Sequence, residues 1–224
     1  MKDLTINHIS FTSKNNPIKP FVLQTKDGEL HFQEIDYSKK LAKKKLKEIG
    51  SFFLDNFAYT SSHPYWKYCQ KNNSEFDKET YDIYVKELVD SYKTTFKNPD
   101  TTVLLGRNNK NELCAALYTL PLNLSKVIKN NKTLYVDSLA VNEQYRNNHV
   151  SKQLLEKVLN SFGNRFQNSF LIAYNEVVPF YLKQGYKVID KASLNDDFVK
   201  SIKELRIDYP QYCTLMAKNL DVLG

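Results

Sequence analysis

Cysteine, histidine and glycine are scarce in this chain of 224 residues, with three, four and six copies respectively. The cysteines Cys69, Cys114 and Cys213 are odd in number and far apart, which argues against a disulfide framework or a paired-cysteine metal motif. No histidine lies at ligand spacing from another histidine or from a cysteine, so we expect no bound metal. Cys114 and Cys213 lie in apolar, strand-like runs, and we expect both to be buried.

Long apolar runs are missing as well. None could cross a bilayer, and the charged start Met1-Lys2-Asp3 lacks the apolar centre of a signal peptide. We therefore expect a soluble, cytoplasmic protein without a membrane partner. With 42% hydrophobic and 25% charged residues, the chain is long enough for one well-cored domain. Monomer and homodimer both remain open.

The net charge of +7 is spread along the chain, whereas a nucleic-acid-binding protein concentrates it. The densest basic run, Lys39 to Lys47, has two interpretations: a phosphate-contacting stripe, or the solvated face of an amphipathic helix. The leucines of this run and the following Ile49, Phe52 and Phe53 repeat every three to four residues, which favours the helix. We therefore do not expect a nucleic-acid partner.

Strand and helix patterns alternate along the chain without repeats or a low-complexity linker. The pattern predicts strands at Phe21–Thr25, Leu30–Ile35, Thr102–Arg107, Glu112–Leu120, Thr133–Val141, Ser169–Tyr174, Tyr186–Ile189 and Tyr212–Ala217. It predicts helices at Ser38–Asn56, Lys78–Phe96, His149–Phe162 and Val177–Gln184. We expect a single mixed α/β domain over residues 1–224, with an N-terminal extension and hairpin over residues 1–37.

Three segments together carry a resemblance to a known family. They are the strand Leu134-Tyr135-Val136-Asp137-Ser138-Leu139-Ala140-Val141, the loop and helix start from Tyr145 to Leu155, and Pro179-Phe180-Tyr181-Leu182-Lys183-Gln184-Gly185-Tyr186. The combination resembles the GNAT superfamily of acyl-CoA-dependent N-acetyltransferases. The resemblance implies a mostly antiparallel, splayed sheet flanked by helices, with pantetheine against the strand that ends at Val141 and the pyrophosphate on the next loop.

The resemblance also implies which residues contact acetyl-CoA: Leu139, Ala140, Val141, Arg146, Asn147, Asn148, His149, Val150, Ser151, Lys152, Asn175 and Tyr181. Open N–H groups at a helix N-terminus, together with the helix dipole, favour a diphosphate. His149 and Ser151 stand where the family pattern has glycine and glycine or alanine. Asn175 lies six residues before Tyr181, where seven is usual, and it could instead cap the short helix.

Tyr181 and Asp137 are the predicted catalytic residues. In the family, the tyrosine of the Phe-Tyr pair often protonates the departing thiolate, although Tyr181 could instead only pack and hydrogen-bond the sulfur. Asp137 is the leading candidate for the base that deprotonates the amine, and a structural hydrogen bond to a neighbouring loop is the alternative. Strand alternation puts Asp137, Leu139 and Val141 on one face. Glu176 is a weaker candidate base.

The resemblance implies transfer of an acetyl group from acetyl-CoA to a primary amine by direct attack in a ternary complex. A small-molecule acceptor is favoured, with a protein lysine or N-terminus as the alternative acceptor. A CoA-binding module without turnover is a further alternative, motivated by His149. The segments expected to form the acceptor site are Tyr59–Tyr68 and Asp190–Pro210.

Overall fold

The computed structural model describes residues 17–35, 41–57, 78–96, 101–122, 133–162, 165–190 and 213–219. Its strands are β1 (Phe21–Thr25), β2 (Gly28–Glu34), β3 (Thr102–Arg107), β4 (Leu113–Leu122), β5 (Thr133–Val141), β6 (Asn168–Tyr174), β7 (Lys187–Val188) and β8 (Cys213–Asn219). Its α-helices are α1 (Lys43–Phe57), α2 (Lys78–Thr95), α3 (Val150–Phe162) and α4 (Val178–Lys183), with single 3-10 turns at Glu143–Tyr145 and Asn175–Val177.

The described strands form one sheet in the order β1-β2-β3-β4-β5-β6-β8-β7. Every pair of neighbours is antiparallel except β5 and β6, which run parallel. The α3 helix connects these two parallel strands, as a parallel connection requires. This confirms the mixed α/β class and the mostly antiparallel sheet.

Two apolar cores lie on opposite faces of the sheet. One core, called the α3 face, contains Leu154 and Val158 of α3 together with Leu117, Val136 and Val141 of the strands. The other, called the α1–α2 face, is formed by the two long helices and the opposite sides of the strands; its members include Ile49, Phe53, Val89, Tyr118 and Ala140. Burying both faces requires helices on both sides, which explains the layer order.

Helix α1 begins at Lys43, later than the predicted Ser38; residues 38–40 lie outside the described ranges and residues 41–42 are not helical. Leu46 and Ile49 are buried, whereas Lys47 is exposed and lies 3.7 Å from Asp82. From Lys43 onward, the basic run is therefore the solvated side of an amphipathic helix.

Smaller differences concern the ends of elements. Strand β8 covers Cys213–Asn219, two residues further than predicted, and β7 is only Lys187–Val188. His149 lies before α3 and not inside it. Cys114 and Cys213 are buried, as expected, while Cys69 lies outside the described ranges. Among the described helices, none is both long and apolar enough to cross a membrane.

Candidate active site

The parallel pair β5–β6 separates halfway along its length. Pairing runs from Thr133 opposite Asn168 to Val136 opposite Leu171 and then ends. Beyond that point, residues 138–141 of β5 stay paired with β4, and residues 172–174 of β6 stay paired with β8. The gap between β5 residues 137–141 and β6 residues 172–174 is called the fork. One backbone edge of β5 is open there, and an extended ligand could pair with it.

Asp137 is the extra residue of a β-bulge at the base of the fork. Tyr118 lies opposite Ser138, whereas the next β4 residue, Thr119, lies opposite Val136, so Asp137 has no partner in the register. A bulge reverses the alternation of side chains beyond it. Val136 and Val141 accordingly both pack on the α3 face, although they are five positions apart and an odd offset would normally put them on opposite faces.

The bulge corrects the predicted arrangement of β5. Leu139 and Val141 pack on the α3 face, while Ala140 packs on the α1–α2 face. The Asp137 charge acts on the hydroxyls of Tyr92 and Tyr118, which belong to the α1–α2 face. Asp137 is therefore on the face opposite Leu139 and Val141. The prediction that the three share one face was wrong because simple alternation takes no account of an inserted residue.

The electrostatic setting of Asp137 makes it a weaker acid than usual. The residue retains solvent-accessible surface, yet the protein around its carboxyl displaces bulk water, and this desolvation raises the pKa of the carboxyl to about 6. The Ser138 hydroxyl donates to Oδ2 at 2.7 Å and partly opposes the shift. A carboxylate with this pKa is ionised at neutral pH and able to accept a proton.

The loop that precedes α3, residues 146–149, is called the α3 loop. Asn147 and His149 have φ angles of +63° and +58°, in the left-handed region. Asparagine and histidine enter this region more readily than most residues other than glycine. His149 thus adopts the left-handed backbone conformation that glycine most often supplies, and its side chain is exposed.

The α3 loop and the first turn of α3 carry several hydrogen-bond donors. The first backbone hydrogen bond of the helix joins the Gln153 N–H to the His149 carbonyl at 3.0 Å, so the preceding helical N–H groups have no acceptor within the helix. Arg146 is exposed, and its Nε donates to the Val141 carbonyl at 3.2 Å. Lys152 turns along the helix toward Glu156, 3.8 Å away. This arrangement of N–H groups, helix dipole and guanidinium fits a diphosphate.

Tyr181 lies on α4, against the α3 face. Its ring is buried between Phe180 and Tyr186, with centroids 5.0 Å and 5.7 Å away. Burial raises the pKa of its phenol, which therefore keeps its proton at neutral pH. Within the described ranges, no group hydrogen-bonds to its hydroxyl, in contrast to Tyr186, whose hydroxyl is 2.6 Å from that of Ser169.

Tyr135 is a buried tyrosine close to Asp137 that the sequence analysis does not single out. It lies on β5 two residues before the bulge, and its ring is 5.7 Å from that of Phe170 on β6. Burial, followed by the charge of Asp137, raises the pKa of Tyr135. Tyr135 therefore keeps its proton at neutral pH. Alternation before the bulge places Tyr135 and Asp137 on one face, so the sequence already held this signal.

Asn175 begins the 3-10 turn that follows β6. Its Oδ1 accepts a hydrogen bond from the Thr214 hydroxyl of β8 at 2.8 Å. The short helix α4 has no side-chain cap. The alternative prediction that Asn175 caps this helix is therefore wrong, and its side chain instead joins the two strands beside the fork.

The comparison with protein families agrees with this geometry. The family described as acetyltransferase (GNAT) domain matches residues 72–203, more than half of the chain. The chain belongs to the GNAT acetyltransferase family. The matched range contains the fork, the α3 loop and Tyr181, and it begins after β1 and β2.

Solved structures share the GNAT fold at low sequence identity. An acetyltransferase of the GNAT family from Staphylococcus aureus Mu50 is 17% identical, with a TM-score of 0.50, over 84% of this chain and 99% of that one. A Pyrococcus horikoshii protein is 14% identical, with a TM-score of 0.54, over 84% and 98%. Escherichia coli ElaA is 15% identical, with a TM-score of 0.52, over 85% and 99%. No curated protein matches the chain in sequence.

In this GNAT protein, Asp137 lies at the base of the fork, the α3 loop follows the end of β5, and Tyr181 packs in the core on the α3 face. In the part of the chain that the structure describes, no group of three or more potential metal ligands occurs. The two predicted acceptor segments lie almost wholly outside the described ranges. The structure describes neither Tyr59–Tyr68 nor residues 191–210.

The structure also shows a contact that the sequence analysis did not predict. The side chain of Asn148 in the α3 loop hydrogen-bonds to Lys26 and Asp27 in the β1–β2 turn, more than 120 positions away.

Proposed function

We propose that this protein transfers an acetyl group from acetyl-CoA to a primary amine by direct attack in a ternary complex. The observation that carries the proposal is the fork, which has an open strand edge, a diphosphate-binding arrangement at one end and a carboxylate at its base. Membership of the GNAT family supports it. The acceptor we favour is a small molecule, and the compartment we favour is the cytoplasm.

The donor is bound mainly by backbone groups in this proposal. The open edge of residues 139–141 pairs with the pantetheine amides, as an added strand would. Arg146 and the N–H groups at the start of α3 hold the diphosphate. Because these contacts use the backbone, His149 and Ser151 are compatible with binding as long as the loop keeps its left-handed turns.

Proton transfer is divided between two side chains. Acetyl-CoA supplies the activated acetyl thioester. Asp137, ionised at neutral pH, accepts the proton that the amine loses as its nitrogen bonds to the acetyl carbon. Tyr181, which keeps its proton, donates it to the sulfur as the carbon–sulfur bond breaks. The products are the N-acetylated amine and CoA, and solvent restores the Tyr181 proton and removes the one on Asp137.

The acceptor approaches from the α1–α2 side of the sheet, because the bulge turns Asp137 to that face. A negative carboxylate there attracts an ammonium group. The ammonium loses its first proton to solvent, and the neutral amine then attacks and passes its second proton to Asp137.

Calorimetric titration of acetyl-CoA and desulfo-CoA, followed by a free-thiol assay, tests the proposal. We expect micromolar binding of both ligands, and thiol release that depends on an added amine. Small amines are compared with a lysine-containing peptide, and faster release with the peptide would overturn the small-molecule preference. Binding without thiol release for any amine would support a CoA-binding module instead. No binding of either ligand would contradict the proposed donor.

A further inference from the structure

The N-terminal hairpin contacts the α3 loop through one side chain. The carboxamide nitrogen of Asn148 donates to Asp27 Oδ2 at 2.9 Å, and its oxygen accepts from the Lys26 N–H at 3.2 Å. The same nitrogen also lies 3.3 Å from the Arg146 carbonyl, which it approaches as a donor. One amide therefore joins the β1–β2 turn to the backbone of the α3 loop.

The β1–β2 turn presents Asp27 in a fixed position. The Thr25 hydroxyl accepts from the Asp27 N–H at 3.1 Å and donates to the Gly28 carbonyl at 2.6 Å. Gly28 has a φ of +115°, which closes the two-residue turn and suits glycine. The turn is thus held by its own hydrogen bonds, independently of Asn148.

The hairpin itself is packed firmly beside α3. The Phe21 ring stacks on the Phe32 ring with centroids 5.0 Å apart, and Phe32 lies directly over Gly106, where an added Cβ would come within 2.2 Å of the ring. On the helix side, the Lys157 ammonium is 5.2 Å from the centroid of the Phe21 ring. Asp27 is therefore supported by a well-packed element, from which it can restrain the neighbouring loop.

The α3 loop needs such a restraint. Asn147 and His149 both have left-handed φ angles, and neither is glycine. Residues with a Cβ return readily to negative φ when nothing holds them. Asn148 lies between the two, so fixing its side chain limits rotation on both sides of it.

The charge of Asp27 does not explain its position. A carboxylate beside a diphosphate site repels the ligand, so charge alone lowers the affinity. A hydrogen-bond acceptor that fixes the loop raises the affinity by reducing the ordering that binding requires. The two effects have opposite signs, which lets an experiment separate them.

We infer that Asp27, acting through Asn148, is a positioning residue that holds the α3 loop in the shape that binds the diphosphate of CoA. This inference rests on the proposed function. The hairpin lies before the family match at residues 72–203. In this proposal, a contact from the β1–β2 hairpin takes the place of the glycine of the family pattern.

The test compares CoA affinity, by calorimetry on the full chain, among four variants. We expect Asp27→Ala and Asn148→Ala to raise the Kd by roughly three- to tenfold. Asp27→Asn keeps the acceptor without the charge, so it should bind at least as tightly as the unchanged protein. Glu29→Ala is the matched control, because it removes a carboxylate from the same hairpin. The Glu29 carboxylate accepts a hydrogen bond from the Gln24 amide at 2.7 Å and lies 3.5 Å from His31 Nε2, both within the hairpin. The Kd of this control variant should not change.

A rescue experiment distinguishes positioning from a general structural role. In a His149→Gly background, Asp27→Ala should lose most of its effect, because glycine adopts the loop's φ without restraint. The KM for acetyl-CoA should rise in Asp27→Ala, with kcat unchanged.

Equal affinities of Asp27→Ala and the unchanged protein, or equal losses in Asp27→Ala and Asp27→Asn, would overturn the inference alone. Failure of the unchanged protein to bind CoA would overturn the proposed function and this inference with it.

Discussion

The two ends of the fork offer different kinds of group to the proposed ligands. At the α3 loop, backbone N–H groups and one guanidinium are the proposed diphosphate contacts, and the side chain at residue 149 is exposed. At the other end, the Asp137 carboxylate and the Tyr181 phenol are the proposed reactive groups, and desolvation raises the pKa values of both. A site built from backbone tolerates a change of side chain if its φ angles are kept. A site built from side chains does not, because the reactive atom itself is lost.

Tyr181→Phe should produce the largest effect, since it removes the proton donor and little else. We expect kcat to fall by about a hundredfold, which is the lower range for general acid catalysis. The Kd of CoA should stay within about twofold, because the ring and its packing remain. A thiol-release assay measures kcat, and calorimetry on the same preparation measures the Kd.

Tyr186→Phe is the matched control for that prediction. Its hydroxyl bonds with Ser169 in the core, so its loss should lower the free energy of unfolding by about 1 kcal/mol and leave turnover unchanged. Equal losses of kcat and affinity in Tyr181→Phe would mean that Tyr181 contacts the cofactor without acting as an acid.

Asp137→Asn should have the next largest effect and should change the pH dependence. In the unchanged protein, kcat/KM should rise with pH through an inflection near pH 6, because the base works only when ionised. The substituted carboxamide cannot ionise, so that inflection should disappear and the rate at neutral pH should fall by at least about tenfold.

Ser138→Ala sharpens the pH prediction. It removes the hydrogen bond that favours the ionised carboxylate, so the inflection should move to higher pH. An unchanged profile in both variants would assign the base to another group.

Arg146→Ala tests the backbone-dominated end of the fork. We expect the Kd of CoA to rise about tenfold, equivalent to about 1.4 kcal/mol, with kcat nearly unchanged, because one charge-assisted contact is lost. The difference in Kd between Arg146→Ala and the unchanged protein should become smaller as salt is added, because salt screens the lost charge interaction. Lys93→Ala, which removes the same charge on α2 where it pairs with Asp90, should not change the Kd.

Much of this architecture follows from patterns within short segments. The strand Thr133–Val141 was predicted with its observed bounds, because a mostly apolar run rich in β-branched and aromatic residues is typical of a buried strand. Three short motifs indicated the family, and the family match confirms it. Burial of Cys114 and Cys213 followed from their apolar neighbours.

Other features depend on pairing between distant segments, which one sequence does not show. The bulge at Asp137 exists only in the register between β4 and β5, and it places Leu139 on the face opposite Asp137, whereas simple alternation predicted that the two share a face. The contact between Asp27 and Asn148 likewise joins segments more than 120 residues apart. The roles of Asp137, Tyr181 and the cofactor residues stay predictions until the variants are measured.

His149→Gly should produce the smallest effect, which makes it the most direct test of the comparison between the two ends. His149 already has a φ of +58°, so glycine changes no backbone geometry, and the Kd of CoA should change by less than about threefold. His149→Val is the contrasting variant, because a β-branched residue is strongly disfavoured at positive φ. It should shift the loop away from its left-handed conformation and raise the Kd of CoA by at least about tenfold, which is close to the rise in Kd expected for Arg146→Ala. If glycine instead tightened binding as strongly as valine weakened it, the imidazole itself would be obstructing the diphosphate, and side-chain chemistry would matter at both ends of the fork.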